Sequence, residues 1–312
     1  MTMTVLQPGV LSLLQDSGRR GQHRLGLTTG GPLDSEAFHY CNRLLQNSAG
    51  STAIEISVGG LQLLANIDTY ICVTGADMPF SINGEDKPLW EVHRVCGGDI
   101  LRLGFARSGC RAYLGVAQGF DIAPHFGSTA TVVREHIGGL HGDRLQAGDA
   151  LPCCPVFERK RLFLPVRDRP RYQNTLTVRV IPGYQQRHFS RLQQRRFFGS
   201  TFRVSERCDR MGYRLEGPSI HCDIEGILSE GICHGAIQIP PDGQPIVLLN
   251  DRQTIGGYPK IGSALSLDTA RLSQLVPGSS VHFAPVTLRT AHRALDLAQR
   301  FTLQRALQER PQ

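Results

Sequence analysis

Apolar residues along this chain come in short runs, and turn-forming residues break them at frequent intervals. Thr69–Thr74, Ile100–Leu103, Ala112–Val116, Thr177–Ile181 and Ile246–Leu249 alternate or carry β-branched residues, which predicts strands. Asn83-Gly84 follows Phe80–Ile82 and predicts a two-residue hairpin turn, because both positions tolerate positive φ. Three stretches share a glycine-polar turn that leads into an apolar run: Gly98-Asp99-Ile100-Leu101, Gly148-Asp149-Ala150-Leu151 and Gly278-Ser279-Ser280-Val281. Repeated turn-then-strand units predict a mainly β protein built as barrels or sandwiches, not alternating βαβ units.

Helical spacing is local. Asp34-Ser35-Glu36-Ala37 opens a helix through Leu45, with Asp34 or Ser35 able to cap its free N–H groups. Ser190–Phe198 reads as a second helix. Leu295, Leu297, Phe301, Leu303 and Leu307 lie among polar residues between Thr287 and Gln308, predicting a terminal amphipathic docking helix. Pro152, Pro155, Pro165 and Pro170 sit in a densely charged stretch of linker composition. The expected organisation is a β-rich lobe over 1–155, a linker over 156–173, a second β-rich lobe over 174–286 and a tail over 287–312.

Composition narrows the function. With 40% apolar and 20% charged residues, the chain has the balance of a soluble globular protein. No secretory leader and no run of about 18 apolar residues is seen, so a cytoplasmic protein without a membrane partner is expected. The nine cysteines form no Cys-x-x-Cys pair and read as free thiols. The net charge of +7 comes almost wholly from arginine, since Lys87, Lys160 and Lys260 are the only lysines. Phe189, Phe197 and Phe198 interleave with the basic run Arg187–Arg196, yet no nucleic-acid motif accompanies it, and no nucleic-acid partner is expected.

No phosphate loop, no His-Glu-x-x-His pair and no Gly-x-Ser-x-Gly elbow occurs, so no metal and no nucleotide site is expected in this chain. Two polar, glycine-rich stretches remain. In the first, Gln15-Asp16-Ser17-Gly18-Arg19-Arg20-Gly21 precedes Gly30-Gly31-Pro32-Leu33-Asp34. Its glycines could bring backbone N–H groups to an anion, with Arg19 supplying charge. Alternatively, Asp16 and Gly18 make a turn and Asp34 caps a helix. The second stretch runs Gln238-Ile239-Pro240-Pro241-Asp242-Gly243 and then Asn250-Asp251-Arg252-Gln253-Thr254-Ile255-Gly256-Gly257-Tyr258-Pro259. An amide such as Gln238 or Gln253 presents a donor and an acceptor, matching a lactam or ureido edge. Asp251 could act as a base and Tyr258 could donate to an oxyanion, or the polar groups could simply satisfy the loop backbone.

With these motifs, together with Asn42, Glu55, Gly59-Gly60, Gly127-Ser128, Gly138-Gly139 and Asp209-Arg210-Met211-Gly212-Tyr213, the chain resembles one family from Val5 to about Val286. That family comprises the C-type subunit of 5-oxoprolinase, allophanate hydrolase subunit 2, the KipA antagonist of a kinase inhibitor, and the carboxyltransferase domain of urea carboxylase. The resemblance implies two cyclophilin-like β-barrel lobes and a cyclophilin-like B-type partner. It implies an ATP-hydrolysing enzyme, inactive without A- and B-type subunits, that opens the cyclic amide 5-oxoproline to glutamate. On this reading the complex uses ATP and this chain binds no cofactor. Biotin enters only if the chain is instead a carboxyltransferase subunit, although it has no Met-Lys attachment pair. A third possibility is a regulatory binder of a B-type partner. The resemblance places Gln238, Asp251, Gln253, Tyr258 and Arg210 at the site. With the residue types, Asp251, Gln253 and Tyr258 are expected to be catalytic and Gln238, Arg210, Thr254, Arg19 and Asp34 substrate-binding. The chain departs from the family pattern at Gln46 and Gln118, where glycine is usual. It departs again at Gly127-Ser128-Thr129-Ala130-Thr131, where the family's Gly-Ser-Arg-Ser-Thr has lost its arginine.

Overall fold

The computed structural model describes residues 1–224 and 226–310. The last two residues of the expected tail lie outside them. Two compact units result: Met1–Gly21, Gly30–Tyr172 and 306–310 form the first, and Gln22–Thr29 with Gln173–Arg305 form the second.

The first unit carries β1 (Thr2–Pro8), β2 (Leu11–Gln15), α1 (Ser35–Leu44), β3 (Ala53–Ser57), β4 (Leu61–Ala65), β5 (Thr69–Asp77), β6 (Phe80–Ile82), β7 (Glu85–Asp86), β8 (Val92–Val95), β9 (Ile100–Leu103), β10 (Ser108–Val116), β11 (Ala150–Pro152) and β12 (Leu162–Phe163). One six-stranded sheet runs β11-β1-β4-β9-β6-β7 and one five-stranded sheet runs β2-β3-β10-β5-β8. Met3, Val5, Leu61 and Leu63 of the first sheet pack against Ile54, Ile56, Ile71 and Val73 of the second. The opposite face of β5 and β10, through Tyr70, Cys72 and Tyr113, packs under Phe38, Tyr40 and Leu44 of α1. Burial on both faces explains why β5 reads as a nearly continuous apolar run.

The local signals acted as written. Asn83 and Gly84 sit at φ 52° and 84° and close the β6–β7 hairpin with Ile82 opposite Glu85. Asp34 caps α1 by accepting from Ala37 N at 3.0 Å. The helix ends with Asn47 N donating to Asn42 O at 2.9 Å and Gln46 N to Arg43 O at 3.1 Å, with Gln46 at φ 53°. That is the Schellman pattern, in which the left-handed position favours glycine. Residues 156–172 belong to this unit, with Leu164 fully buried.

The second unit contains β13 (Thr175–Pro182), α2 (Arg191–Gly199), β14 (Thr201–Cys208), β15 (Gly212–Glu216), β16 (Glu230–Gly231), β17 (Ala236–Gln238), β18 (Ile246–Leu248), β19 (Ile255–Gly256), β20 (Lys260–Ala264), α3 (Ser266–Leu272), β21 (Ser280–Pro285) and α4 (Leu288–Gln304). Seven strands close a barrel in the order β13-β20-β17-β18-β15-β14-β21, sealed by the parallel pair β13–β21. Val178, Val180, Phe202, Tyr213, Leu215, Ile237, Val247, Val281 and Phe283 fill its core. Phe197 of α2 is fully buried and stacks on Phe283 at 4.4 Å, and Phe189 is buried as well. These aromatics of the basic run are therefore core residues. Outside the barrel, β16 and β19 form a two-stranded ladder with Glu230 opposite Gly256.

The expected terminal helix ends at Gln304, short of Leu307. In the first unit, Gln308–Glu309 form β22 against β12, and Leu307 packs on the core beside Leu164. Arg310 holds buried Glu91 through two bonds of 3.1 and 3.0 Å. No helix among the described residues is long and apolar enough to cross a membrane.

Candidate functional site

Polar groups of the second unit gather where β17, β18 and β20 meet the loops that follow them. The run Asn250–Tyr258 leaves β18 and begins with a buried ion pair. Arg210, from the turn between β14 and β15, grips both oxygens of Asp251 at 2.8 and 2.9 Å, and each side chain is only 7% exposed. This bidentate geometry is the strong form of an arginine–carboxylate contact. Arg252 is buried too, donating to the carbonyls of Ile232 at 3.1 Å and Leu249 at 3.2 Å. Beside it, burial and the Arg252 charge push His234 down to about 4, despite a hydrogen bond to Asn250. Asp251, Arg210 and Arg252 thus fasten the loop to the barrel. Asp251, expected as a base, has both oxygens engaged by Arg210.

Farther along, the loop opens. Gln253 and Thr254 are half-buried and Tyr258 is 43% exposed. Among the described residues, the side chains of these three make no hydrogen bond within the protein. They remain available to a ligand or a partner.

Gln238 occupies a different position. It ends β17, faces Lys260 of β20 across a bulge, and is 3% exposed. Its amide nitrogen is buried without an acceptor among the described residues. A β-carbon on Gly256 would lie 2.9 Å from that nitrogen, so the glycine lets the backbone of β19 pass close over the amide. Around Gln238 stand residues that the sequence reading missed. The Lys260 ammonium and the Tyr184 hydroxyl both donate to the Glu230 carboxylate. Gln185 Nε2 donates to the same carboxylate at 2.9 Å, while Gln185 Oε1 accepts from Lys260 N at 2.8 Å. The bond from Lys260, followed by that from Tyr184, holds the Glu230 carboxyl below its usual range. One signal could have found this cluster: Lys260 is one of three lysines in a chain whose cationic residues number 34.

In the first unit the glycine-rich stretch is a buried network. Arg19 is fully buried and donates to the carbonyls of His125 at 3.0 Å and Ala130 at 3.1 Å. Asp16 accepts from Ser128 Oγ at 2.6 Å and Thr129 N at 2.8 Å. Gln15 receives Gly31 N and donates to Thr131 O, both at 2.9 Å. Glu55 receives Leu33 N at 2.9 Å and the Tyr113 hydroxyl at 2.7 Å, and Tyr172 donates to Asp34 at 2.8 Å. Burial, followed by the charges of Glu55 and Asp34, raises Tyr113 well above the usual phenol value. Of the two readings of this stretch, the geometry matches turn and cap. Thr129, at the position of the missing arginine, bonds to Thr52 Oγ1 at 2.8 Å. Gln118, like Gln46, sits at positive φ, here 71°.

The barrel, the two-sheet unit and this polar site together define a known class. Residues 25–285 match the family described as carboxyltransferase domain, subdomain A and B, and the chain belongs to that family. It is 34% identical to the C-type subunit of 5-oxoprolinase from Escherichia coli (strain K12) over 302 residues, covering 96% of each chain. It is 35% identical to the corresponding 5-oxoprolinase subunit of Haemophilus influenzae, covering 89% of each chain. Among solved structures, the Kluyveromyces lactis urea carboxylase aligns over 98% of this chain with a TM-score of 0.90 and 26% identity. This chain spans 29% of that polypeptide and 20% of the K. lactis urea amidolyase, which aligns with a TM-score of 0.91.

Proposed function

We propose that this chain is the C-type subunit of an ATP-dependent 5-oxoprolinase, acting with A- and B-type subunits to open 5-oxoproline to L-glutamate. The match along 96% of both chains to the C-type subunit of a 5-oxoprolinase supports this reading most. By contrast, the urea-utilising relatives carry the corresponding region as a small part of a much longer polypeptide.

In this reading the chain contributes a substrate surface. Gln238 offers a buried donor to a ring carbonyl, and a donor left unpaired inside a protein gains most from a ligand that satisfies it. Gln253, Thr254 and Tyr258 supply further donors and acceptors from the open part of the loop, with Tyr258 aimed at an oxyanion and Gln253 at the ring edge. Asp251 and Arg210 hold that loop in register and act as positioning residues. Arg19 and Asp34 organise the first unit through their bonds within it. ATP is handled by the assembled complex, this chain holds no cofactor, and the site of action is the cytoplasm.

Reconstitution with A- and B-type subunits tests the proposal: ATP and 5-oxoproline should yield glutamate. The resemblance to the K. lactis urea carboxylase supports a second reading, a carboxyltransferase serving biotin. Carboxylation of urea, with no glutamate from 5-oxoproline, would favour it.

A further inference from the structure

The polar groups around Gln238 form a closed circuit. Gln238 and Lys260 are register partners on β17 and β20, so their side chains leave the same face of the barrel wall. Lys260 reaches Glu230 on β16. Glu230 in turn lies opposite Gly256 on β19, and Gly256 is the residue whose backbone passes over the Gln238 amide. Four elements therefore converge on one small volume.

Two donors in that volume keep hydrogens that no acceptor among the described residues takes. Gln238 is 3% exposed, and its Nε2 has no acceptor among the described residues. The Lys260 ammonium carries three hydrogens, and among the described residues its one acceptor is Glu230. Lysine and glutamate neutralise each other, so the volume has no net charge to recruit an anion. What it offers is two donors beside a carboxylate, a third of which is still exposed to solvent. A neutral cis-amide edge has the complementary pattern: a carbonyl oxygen that accepts twice and an adjacent N–H that donates once. A β-carbon at position 256 would lie 2.3 Å from Ile232 Cδ1 and 2.9 Å from the Gln238 amide nitrogen, so glycine there leaves room for both side chains.

We infer that Gln238, Lys260 and Glu230 form a subsite for the neutral lactam or ureido edge of a ring, with Gly256 as its floor. Gln238 Nε2 and Lys260 Nζ donate to the ring carbonyl, and Glu230 accepts from the ring N–H. Tyr184 and Gln185 are positioning residues that hold the carboxylate. This inference rests on the proposed cyclic-amide substrate but names residues and a charge type that the reading alone does not require.

The test is a calorimetric titration of the chain, purified with its B-type partner, with 2-pyrrolidone, a lactam that lacks the carboxylate of 5-oxoproline, and separately with 5-oxoproline. Wild-type protein should bind both probes. Gln238→Met should weaken both at least tenfold while raising the melting temperature by about 2–4 °C, because a buried, unsatisfied donor has been removed. Gln238→Glu, which keeps the shape and pairs with Lys260, should also weaken both. A merely structural glutamine would lose stability as Met and leave binding alone. Retained affinity in both variants, or no binding of 2-pyrrolidone to wild type, overturns the inference. Glutamate release by the full complex is measured on the same preparations. Release by wild type with unchanged kinetics in Gln238→Glu leaves the 5-oxoprolinase reading standing and removes only the subsite. Lactam binding without glutamate release by wild type removes the reading and keeps the subsite.

Discussion

Arg210 and Asp251 are 41 residues apart in sequence, yet they share two hydrogen bonds in a setting where neither side chain is more than 7% exposed. Removing one partner from a buried pair leaves an uncompensated charge, which costs about 3–5 kcal/mol. Asp251→Asn is therefore expected to lower stability by about that amount. Arg210→Met combined with Asp251→Leu should recover most of it, because neither charge then remains. Urea unfolding of Arg210→Met, Asp251→Leu and the double variant gives the coupling energy. Independent, additive losses would show that the pair does not hold the loop.

The open part of the same loop should behave in the opposite way. Gln253→Ala and Tyr258→Phe remove groups with no hydrogen bond inside the described protein, so the melting temperature should move little. In the assembled enzyme, loss of a donor to a developing oxyanion lowers kcat by about 10²–10³. Steady-state rates measured beside thermal melts decide the matter. Wild-type rates in both variants would remove these residues from the site.

His234 makes the second unit acid-sensitive. Burial lowers its pKa from 6.5 to about 4, so the folded state keeps the ring neutral where the unfolded chain protonates it. Its contribution is complete above pH 6.5 and is lost as pH falls from 6.5 toward 4, about 3 kcal/mol in all. In the first unit, desolvation also lowers His39, on the exposed side of α1, and buried His93, which act on that unit in the same direction. Denaturant midpoints at pH 7 and pH 5 should diverge for wild type and converge in part for His234→Asn. An unchanged pH dependence in that variant would contradict the assignment.

Much of the fold was legible because its signals are local. Alternation or β-branched runs marked β5, β9, β10 and β13, and each of the turn glycines Gly98, Gly148 and Gly278 takes positive φ before its strand. Helix α3 was not foreseen: it spans seven residues and its N-cap, Leu265, offers no side-chain cap. The site divided along the same line. Gln238 stood out as an amide beside a proline turn. Its partners did not, because Glu230 lies 30 residues from Lys260 and 46 from Tyr184, and only barrel closure joins them. The glycine-rich stretch around Arg19 left two readings open for a related reason. Buried network residues and anion-binding residues share one composition, and burial separates them.

The departures from family glycines carry their own expectation. Gln46 and Gln118 hold φ of 53° and 71°, where a side chain costs about 1–2 kcal/mol that glycine avoids. Part of that gain is offset by the greater freedom of glycine in the unfolded chain. Gln46→Gly and Gln118→Gly should each stabilise the first unit by about 0.5–1 kcal/mol. A loss of stability in calorimetric melts would mean that the glutamine side chains contribute more than their strain costs.

The central claim is that this chain is an obligatory part of a 5-oxoproline-opening enzyme. The most direct measurement follows glutamate release from 5-oxoproline and ATP by A- and B-type subunits as this chain is titrated in, with urea as the control substrate. The account predicts negligible release without the chain, release that rises and saturates at a fixed ratio of subunits, and no turnover of urea. Equal rates with and without the chain, or turnover of urea alone, would contradict it.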